Sequence, residues 1–461
     1  MSLLYGPPST VAAAATISGP IPLPRVRLWT GTWNMGAKEL PASQIVALRT
    51  FIPAGYDLYA LAVQEAVSGA FYDLVARHLE RFDVVRLPFN ADVRGRGDGS
   101  FLFPKFTGLA FYVSRRLLAS TTLLAAAPIS LGITEGSKGA ATAAVSIAGT
   151  TVVFLSVHLP SSSLAARRAA IAHITAATGP ALCGSALGSF GLDDLFHHTI
   201  LLGDTNFKLN ATNNANYITS SSSSSSSFSS VAAGAGSGSG AHSSAALSVE
   251  RAIALMAEHE SAESERAAEC ARMRAVMRRN YKYTLALAQP QPQSQLSGAI
   301  ESGSSTSTRS DVAASSEQRP SPSPSPPPLP PRSLLPPVPA SCLSRPRGLH
   351  LLRTHDELTQ DRRSGRALAG YSEAAMANDF YPSYKRVEGR PTPVRWGGSA
   401  DSIRRQFRTA YKEPWYKSGR VSERLPAYTD RVLWRSAPAG AGLLRPEPQA
   451  RYVALPSSAK L

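Results

Sequence analysis

Short apolar runs that end on polar residues recur along the first part of the chain. Runs with alternating or continuous apolar character, bounded by polar positions, predict β-strands. The runs and the residues that follow them are 26–33 before Asn34, 58–63 before Gln64 and Glu65, 151–157 before His158, and 199–202 before Gly203, Asp204, Thr205 and Asn206. The pattern therefore predicts strands that each present a chemically competent side chain at the carboxyl end.

Segments with helical periodicity separate these strands. The predicted helices cover residues 44–50, 70–81, 164–177 and 349–358, and further strands, paired as hairpins, cover residues 82–87, 109–113 and 143–147. Strands that alternate with helices are typical of an α/β fold, here with two sheets packed together and helices outside. Because strand ends on one side of a sheet lie close together, we expect the polar residues to converge.

The composition changes after residue 210 and recovers near residue 346. A serine run, a Gly/Ser alternation and a Ser/Pro tract offer too little apolar surface to offset the entropy lost on folding. Between them, residues 250–283 are charged and helically periodic, which predicts one or two helices that project from or cap the domain. The expected organisation is a flexible lead-in (1–24), the first half of one domain (25–210), a low-complexity insertion (211–345), the second half (346–436) and a tail (437–461).

The chain is basic. Its 461 residues carry a formal net charge of +16, which implies an anionic partner but does not separate nucleic acid, membrane surface and phosphorylated small molecules. The three cysteines have no metal-ligand spacing, so neither a disulfide framework nor a zinc site is expected, and a reducing, cytoplasmic compartment fits. No apolar run approaches the length of about 18 residues that would span a bilayer.

Glu65 and Asn34 are candidate metal ligands. Mg²⁺ takes oxygen ligands, keeps several waters, and commonly binds one or two carboxylates together with a substrate phosphate. Glu65 fits that role, and Asn34 either holds the carboxylate or binds the metal. The structural alternative for Glu65 is a solvated strand-end carboxylate, and it weakens because Asn34 and Asp204 occupy equivalent places.

Asp204 and Asn206 are two residues apart and therefore point the same way on an extended segment. A carboxylate beside an amide suits the activation of a water molecule, with the amide stabilising charge on a pentacovalent phosphorus. The alternative is an Asx-turn that closes the strand. His158 is a candidate donor to a phosphate oxygen, against the alternative of a structural histidine.

Two groups of cations and donors are candidates for phosphate binding. Lys138 lies in a tight loop, 136–139 (GSKG), which offers backbone NH groups and an ammonium. Tyr384, Lys385 and Arg424 supply the second group. An inositol ring with several phosphates would require two such groups.

These residues resemble motifs of the inositol polyphosphate 5-phosphatases, a family of the endonuclease, exonuclease and phosphatase superfamily. TWNMG at 32–36 is similar to the family's WNxxG, VQE at 63–65 to its metal-binding QE, and VHL at 157–159 to its HL element. LGDTNFK at 202–208 resembles GDLNYR, and DEL at 356–358 resembles DQL. FYPSYK at 380–385 is similar to FxPTYK, and RLPAYTDRVLW at 424–434 to RxPSWCDRVLW.

The resemblance runs from about residue 27 to residue 434, apart from the insertion, and it implies a fold, a cofactor and residue roles. The implied fold is DNase I-like: a four-layer α/β/β/α sandwich of two packed mixed sheets, here with a long disordered insertion. The implied cofactor is Mg²⁺. His158 would contact the scissile phosphate, Asp204 would activate water, and Asp430 would orient an acid/base histidine. Segment 380–385 would contact the ring phosphate next to the one removed.

Departures from the family pattern affect the expected activity. Ser137 stands where the family has Asn, and the insertion after Lys208 is long. The family closes on an SDHxPV element, whereas this sequence has no histidine after His355 and no aspartate after Asp430. Because the loss of one such group typically costs about 10² to 10⁴ in rate, we expect this polypeptide to be severely impaired and a version extended through that element to be active.

The sequence thus favours a Mg²⁺-dependent phosphomonoesterase that removes the 5-phosphate of phosphoinositides or soluble inositol polyphosphates, peripheral at membranes, with no nucleic acid as partner. Two alternatives stay open: a nuclease or sphingomyelinase on the same fold, and a catalytically dead phosphoinositide-binding adaptor. The PxxPxR motif between Pro327 and Arg332 is either a ligand for an SH3 domain or part of a spacer.

Overall fold

Two mixed β-sheets, packed face to face, form the centre of the protein. The computed structural model describes residues 25–39, 48–49, 51–95, 104–132, 135–210, 247–288, 347–374, 380–387, 399–412, 419 and 421–445. By its contacts the chain divides into two units, one of Met1–Glu260 with Arg347–Leu461 and one of Ser261–Pro346. All the strands within the described ranges belong to the first unit.

The first sheet contains five strands. They are β1 (Leu28–Asn34), β2 (Leu58–Ala66), β3 (Val84–Arg86), β4 (Val93–Gly95) and β5 (Lys105–Ser114). Their order is β1-β2-β5-β3, with β4 paired to β5. The pair β1 and β2 is parallel and the other pairs are antiparallel, so the sheet is mixed.

The second sheet contains six strands. They are β6 (Thr121–Ser130), β7 (Gly139–Ile147), β8 (Thr150–His158), β9 (His198–Asp204), β10 (Ser372–Glu373) and β13 (Asp430–Ser436). Between β10 and β13 the chain forms a separate antiparallel pair of β11 (Ala410–Lys412) and β12 (Val421–Glu423). The order of the strands in the second sheet is β10-β13-β9-β8-β7-β6. Among the described strands of this sheet, β8 and β9 are the one parallel pair, and the other pairs are antiparallel.

The described residues also form helices. They are α1 (Ala70–Glu80), α2 (Arg115–Leu118), α3 (Leu164–Cys183), α4 (Leu192–Leu195), α5 (Val249–Ala288), α6 (Arg347–Thr354), α7 (Glu357–Arg363) and α8 (Ala400–Arg404), with short 3₁₀ turns at Ser185–Leu187 and Pro438–Gly440. None of the helices in the described ranges is long and apolar enough to cross a bilayer.

Side chains that alternate along the strands build four layers. Tyr59 of β2 packs in a cluster with α1, on the outer face of the first sheet. Its neighbour Ala60 points to the opposite face and belongs to the cluster between the sheets, together with Phe154 of β8. Leu155 then faces outwards, where it packs with Ile171 of α3. The predicted α/β sandwich of two packed mixed sheets is therefore confirmed.

The predicted strands before Asn34, Glu65, His158 and Asp204 are all present, and each observed strand includes its polar residue. The helices predicted over 70–81 and 164–177 correspond to α1 and α3. The helix predicted over 44–50 lies largely outside the described residues.

The prediction of a single helix over 349–358 is wrong. Asp356 has an extended backbone (φ −69°, ψ 117°), and its side chain accepts a hydrogen bond from the Thr359 amide at 2.9 Å. An aspartate in this position caps the start of a new helix, so α6 ends before it and α7 begins after it. The apolar periodicity continued to Leu358 because that residue is buried too, in a different cluster from Leu352.

The charged stretch at 250–283 lies in one helix, α5, whose start is part of the domain core. Met256 is fully buried in one cluster with Leu352 and Tyr381. The Tyr381 hydroxyl also donates a hydrogen bond to the Glu260 carboxylate. The start of α5 therefore supports segment 380–387, which carries two of the candidate substrate residues. The residues of α5 after Glu260 belong to the second unit.

Arg431 of β13 is fully buried and joins separate segments of the second half. Its guanidinium donates to Asp356 Oδ2 at 2.8 Å and to the two carboxylate oxygens of Glu373 at 2.6 and 2.7 Å. Asp356 caps α7, and Glu373 lies in β10. One side chain thus fixes β13 against a helix start and an edge strand.

We expect Arg431→Met to lower the free energy of unfolding by about 3–5 kcal/mol, because the substitution removes the cation bonded to the buried Asp356 carboxylate and one of the cations bonded to Glu373, which keeps Arg362. Urea denaturation followed by tryptophan fluorescence measures this loss. The matched control is Arg435→Met on the same strand, which removes an exposed ion pair with Asp193 and should cost less than about 1 kcal/mol. Equal losses in the two variants would contradict the role given to Arg431.

Candidate active site

The predicted polar residues meet at one edge of the sandwich. In the parallel pair β8–β9, His158 lies opposite Asp204, and in the antiparallel pair β9–β13, Asp204 lies opposite Asp430. Asn34 of the first sheet reaches the second sheet, because its Nδ2 donates to Asp204 Oδ2 at 2.8 Å. The strand ends therefore bring together side chains that are far apart in sequence.

Glu65 lies at a break in the ladder between β2 and β5. The register shifts between Val63 and Ala66, and Glu65 has a left-handed backbone with φ +51°. A non-glycine residue in that region is strained and is held there by its surroundings. The bulge lets the carboxylate approach Lys105 of β5, whose Nζ lies 2.8 Å from Oε2. Burial would raise the pKa of Glu65, but Lys105, Lys138 and a hydrogen bond from Asn34 outweigh burial and lower that pKa.

Asn34 holds carboxylates through its amide nitrogen. Its Oδ1 accepts a hydrogen bond from the Gly36 backbone NH at 3.0 Å, while its Nδ2 donates to Asp204. Of the two roles considered for Asn34, this orientation corresponds to holding a carboxylate, since a metal ligand would have to offer the amide oxygen.

The turn after β9 fixes the orientation of Asp204. Gly203 has φ +145°, and a Cβ at this position would lie 2.1 Å from the Val157 carbonyl oxygen, so only glycine fits. Asp204 Oδ1 accepts from the Asn206 backbone NH at 3.0 Å, which is the Asx-turn that the sequence allowed. Asn206 Nδ2 in turn donates to the Leu159 carbonyl at 2.8 Å. The turn thus fixes Asp204 Oδ1, and Asp204 Oδ2 accepts the hydrogen bond from Asn34.

His158 is buried between the candidate acidic residues and Lys138. Its Nε2 is hydrogen-bonded to the Lys138 ammonium and lies 3.9 Å from Asp204 Oδ2 and 4.0 Å from Glu65 Oε1. Burial, followed by the charges of Lys138 and Lys105, holds the pKa of His158 well below its usual value. An ammonium can only donate, so Nε2 accepts and the ring is neutral. In this arrangement the ring proton resides on Nδ1, a buried atom with no hydrogen-bond partner among the described residues, and Nε2 has no proton to offer to a phosphate.

Asp204 and Asp430 form a pair of like charges across neighbouring strands. Burial, together with the Asp204 charge, raises the pKa of Asp430 to about 7, although hydrogen bonds from Ser383 and Thr429 oppose the rise. Burial also raises the pKa of Asp204, against the opposing effects of Lys138 and Asn34. Two carboxylates this close resist simultaneous ionisation, so they titrate as a pair.

A second polar cluster borders Asp204. Arg424 donates to the Tyr384 hydroxyl at 2.8 Å, and its guanidinium lies 3.4 Å from the centre of the Tyr411 ring. Lys208 Nζ lies 6.0 Å from the centre of the Tyr384 ring. Burial, followed by the charges of Arg167 and Arg424, lowers the pKa of Lys208. Cations and hydroxyl donors thus gather beside the carboxylate that is the candidate base.

Lys385 lies apart from this cluster. Its side chain is exposed, and its backbone carbonyl accepts from the Arg408 amide at 2.9 Å. The neighbouring Tyr384 is joined to Ala427 by two backbone hydrogen bonds of 3.0 Å, which align segment 380–387 with the segment that carries Arg424.

Three residues of the site were missed by the sequence predictions: Lys105, Lys208 and Tyr411. Lys208 closes the LGDTNFK motif at 202–208, and a lysine so close to the Asp204 turn could have been predicted to bind phosphate. Lys105 begins a strand that was predicted to start later, and Tyr411 lies on a short hairpin strand. Their proximity to Glu65 and Arg424 depends on strand pairing, which no local pattern shows.

The residues present fit a magnesium ion. Glu65 and Asp204 each offer a carboxylate oxygen within about 4 Å of His158 Nε2, and Mg²⁺ commonly needs only one or two carboxylates beside phosphate oxygens and waters. Within the described ranges, no group of three or more His, Cys, Asp or Glu could hold a metal ion, so the fit to Mg²⁺ rests on these two carboxylates.

Comparisons with known proteins find structural similarity at low sequence identity. No family model matches the chain, and no curated protein sequence matches it. The chain is similar to the inositol polyphosphate 5-phosphatase domain of SPsynaptojanin in complex with inositol (1,4)-bisphosphate and calcium ion, with 13% identity over 89% of this chain and 76% of that chain, and a TM-score of 0.41.

Two other solved structures illustrate the range of similar chains. The Cimex nitrophorin ferrous NO complex shares 11% identity over 90% of this chain and 88% of its own, with a TM-score of 0.37. Truncated Caenorhabditis elegans TDP2 shares 15% identity over 39% of this chain and 62% of its own, with a TM-score of 0.24. At these identities and TM-scores, the chemistry of the site has to be argued from the residues of this chain.

We expect Asp430→Asn to flatten the pH dependence of stability. The folded pKa of about 7 exceeds the unfolded value of about 4, so the contribution of this group is fully present below pH 4 and is lost as the pH rises through 7. The variant should therefore melt at a higher temperature than the parent at about pH 8, with the difference shrinking towards about pH 4. Thermal melts in chelator-containing buffers across this range measure it.

The matched control is Asp401→Asn, which removes an exposed carboxylate on α8. It should leave the slope of melting temperature against pH as in the parent. A parent-like slope in Asp430→Asn would show that the carboxylate pair does not carry the pH dependence.

Proposed function

We propose that this protein hydrolyses the 5-phosphate of an inositol that carries further phosphates, with Mg²⁺ as its cofactor. The observation that carries the proposal is a buried carboxylate, Asp204, that lies near two groups of cationic and polar side chains, which are the candidate phosphate-binding groups. One group is Lys138, which is hydrogen-bonded to His158 and whose charge acts on Asp204. The other group consists of Lys208, Tyr384 and Arg424. A substrate with two neighbouring phosphates would engage both groups.

Asp204 has the properties of a general base in this proposal. Its raised pKa makes it a stronger base than an exposed aspartate, and Asn34 and the Asn206 backbone each fix one of its oxygens. The carboxylate would accept a proton from the water that attacks phosphorus, while the bond from phosphorus to the ring oxygen breaks. The ring oxygen then takes up a proton from solvent.

The cations would stabilise the charge that develops on the phosphate. Lys138 lies in the loop before β7, whereas the Asn206 amide nitrogen is bonded to the Leu159 carbonyl and would have only its second hydrogen to offer. Preorganised donors of this kind supply a large share of the stabilisation in phosphoryl transfer. Mg²⁺, held by Glu65 with Asp204 nearby, would supply further neutralisation of phosphate charge when bound.

The second cluster supports a substrate with more than one phosphate. Arg424 is held by contacts with Tyr384 and Tyr411, and Lys208 is half-buried nearby. Together with Lys138 at the scissile phosphate, these side chains offer more donors than a single phosphate requires. Choice of the 5-position rests on the motif resemblance. Location at a membrane surface in the cytoplasm, and an SH3-type partner, remain proposals, and the motif between Pro327 and Arg332 lies outside the described residues.

We expect release of inorganic phosphate from 5-phosphorylated inositides in the presence of Mg²⁺, and no cleavage of DNA. The assay should use single-turnover conditions with enzyme in excess, on soluble inositol polyphosphates and on phosphoinositide vesicles. Asp204→Asn should lower the rate by about 10² to 10⁴ because the base is lost.

If the parent binds inositides but releases phosphate no faster than the Asp204→Asn variant does, the adaptor alternative would be favoured over the phosphatase. Cleavage of DNA or of a phosphodiester lipid, with no release from inositides, would favour the nuclease or sphingomyelinase alternative.

We expect Arg424→Gln to weaken binding of an inositol bisphosphate or trisphosphate by about tenfold, and of inositol monophosphate by less, because one charge-assisted contact to a second phosphate is lost. Isothermal titration calorimetry on the Asp204→Asn background measures both affinities without turnover. The matched control is Arg435→Gln, at the far end of β13, which should bind like the parent. An equal loss for mono- and polyphosphates would contradict a role in recognising the second phosphate.

A further inference from the structure

Lys105 is bonded to the residue that is the candidate metal ligand. Its Nζ lies 2.8 Å from Glu65 Oε2, and its side chain is only 12% exposed. The pairing follows from the fold: the bulge in β2 turns Glu65 out of the ladder, and Ala66 resumes pairing opposite Phe106, next to Lys105 on β5. The ammonium is thus held on this carboxylate by strand register.

The two carboxylates nearest to His158 Nε2 each have an ammonium group near them. Two carboxylates, Glu65 and Asp204, approach the imidazole to 4.0 and 3.9 Å. Two ammonium groups face them, since Lys105 bonds to Glu65 and Lys138 bonds to the imidazole. A divalent cation that binds Glu65 would therefore add charge to a site where each carboxylate already has a cation near it.

We propose that Lys105 competes with the divalent cation for the Glu65 carboxylate, so that the cation binds strongly only together with a phosphate. The inference rests on the proposed metal site and deepens it. It makes Lys105 a positioning residue that sets how the metal and the substrate depend on each other.

The physical reason is repulsion at short range. An ammonium and a divalent cation on the same carboxylate repel each other, and the repulsion is strong in a partly buried site because little water screens it. The cation must displace the ammonium or accept the repulsion. Lysine has a long flexible stem, so Nζ is able to move to a new anion. A phosphate beside Glu65 supplies that anion.

The coupling is reciprocal. If phosphate raises the affinity for the cation, the cation raises the affinity for phosphate by the same factor. An ion pair with a purely structural role would differ in its effects: its loss would change the stability of β2 against β5 and would leave the metal affinity unchanged.

The test is a calorimetric titration of MgCl₂ into the chelator-treated full chain, with and without inorganic phosphate. In the parent we expect phosphate to raise the Mg²⁺ affinity about tenfold, the scale of one ion-pair contact. In Lys105→Met and Lys105→Gln, we expect the affinity without phosphate to rise about tenfold and the effect of phosphate to fall to about twofold or less. The two variants serve as checks on each other, since Lys105→Gln keeps a polar group for Glu65 if the apolar replacement folds poorly.

The matched control is Arg115→Gln, which removes one positive charge just after the opposite end of β5, where Arg115 forms an exposed pair with Asp83. It should titrate like the parent, with and without phosphate. A rise in Mg²⁺ affinity in Arg115→Gln equal to that in the Lys105 variants would reduce the effect to net charge and overturn the proposal.

Equal Mg²⁺ affinities in the parent and both Lys105 variants would overturn the proposal and leave the proposed metal site intact. A parent affinity that does not respond to phosphate would also overturn it. Failure of all the proteins to bind Mg²⁺ under either condition would overturn the proposal and the proposed metal site together. Urea denaturation of each variant shows separately how much the ion pair contributes to stability.

Discussion

The burial of like charges on facing strands is the constraint on which this site depends. Asp204 and Asp430 are register partners in β9 and β13, so the sheet itself forces two carboxylates together. Burial raises both pKa values, and the Asp204 charge raises the pKa of Asp430 further; the Lys138 charge, the Asn34 amide and hydrogen bonds from Ser383 and Thr429 oppose these shifts. The chemistry of the site follows from this balance, because an aspartate with a raised pKa is a competent base.

The scaffold has to hold that arrangement against its own repulsion. Gly203 allows β8 and β9 to approach closely enough to bring His158 to Asp204. Arg431, one residue after Asp430, fixes β13 through carboxylates on α7 and β10. The start of α5 packs behind segment 380–387. Buried contacts behind the strand ends thus keep the polar residues in front from separating.

The cations around the carboxylates divide into two groups with different tasks. Lys105 and Lys138 contact the candidate metal ligand and the imidazole directly. Lys208 and Arg424 approach from the opposite side, together with aromatic rings that orient them. A ligand that satisfies both groups must carry negative charge at more than one point, which is the physical basis for preferring a polyphosphorylated substrate to a simple phosphate ester.

The sequence by itself predicted the strands that end on Asn34, Glu65, His158 and Asp204, because the period of apolar residues is a local property, but it did not predict β6 (Thr121–Ser130). It also identified Asn34, Glu65, His158, Asp204 and Arg424 as candidates. Only the tertiary structure decided that Asp430 faces Asp204, that Lys105 bonds Glu65, and that Asp356 divides one apolar stretch into two helices. These facts depend on strand register, on a bulge and on capping against a buried arginine, and such long-range contacts leave no periodic trace in the chain.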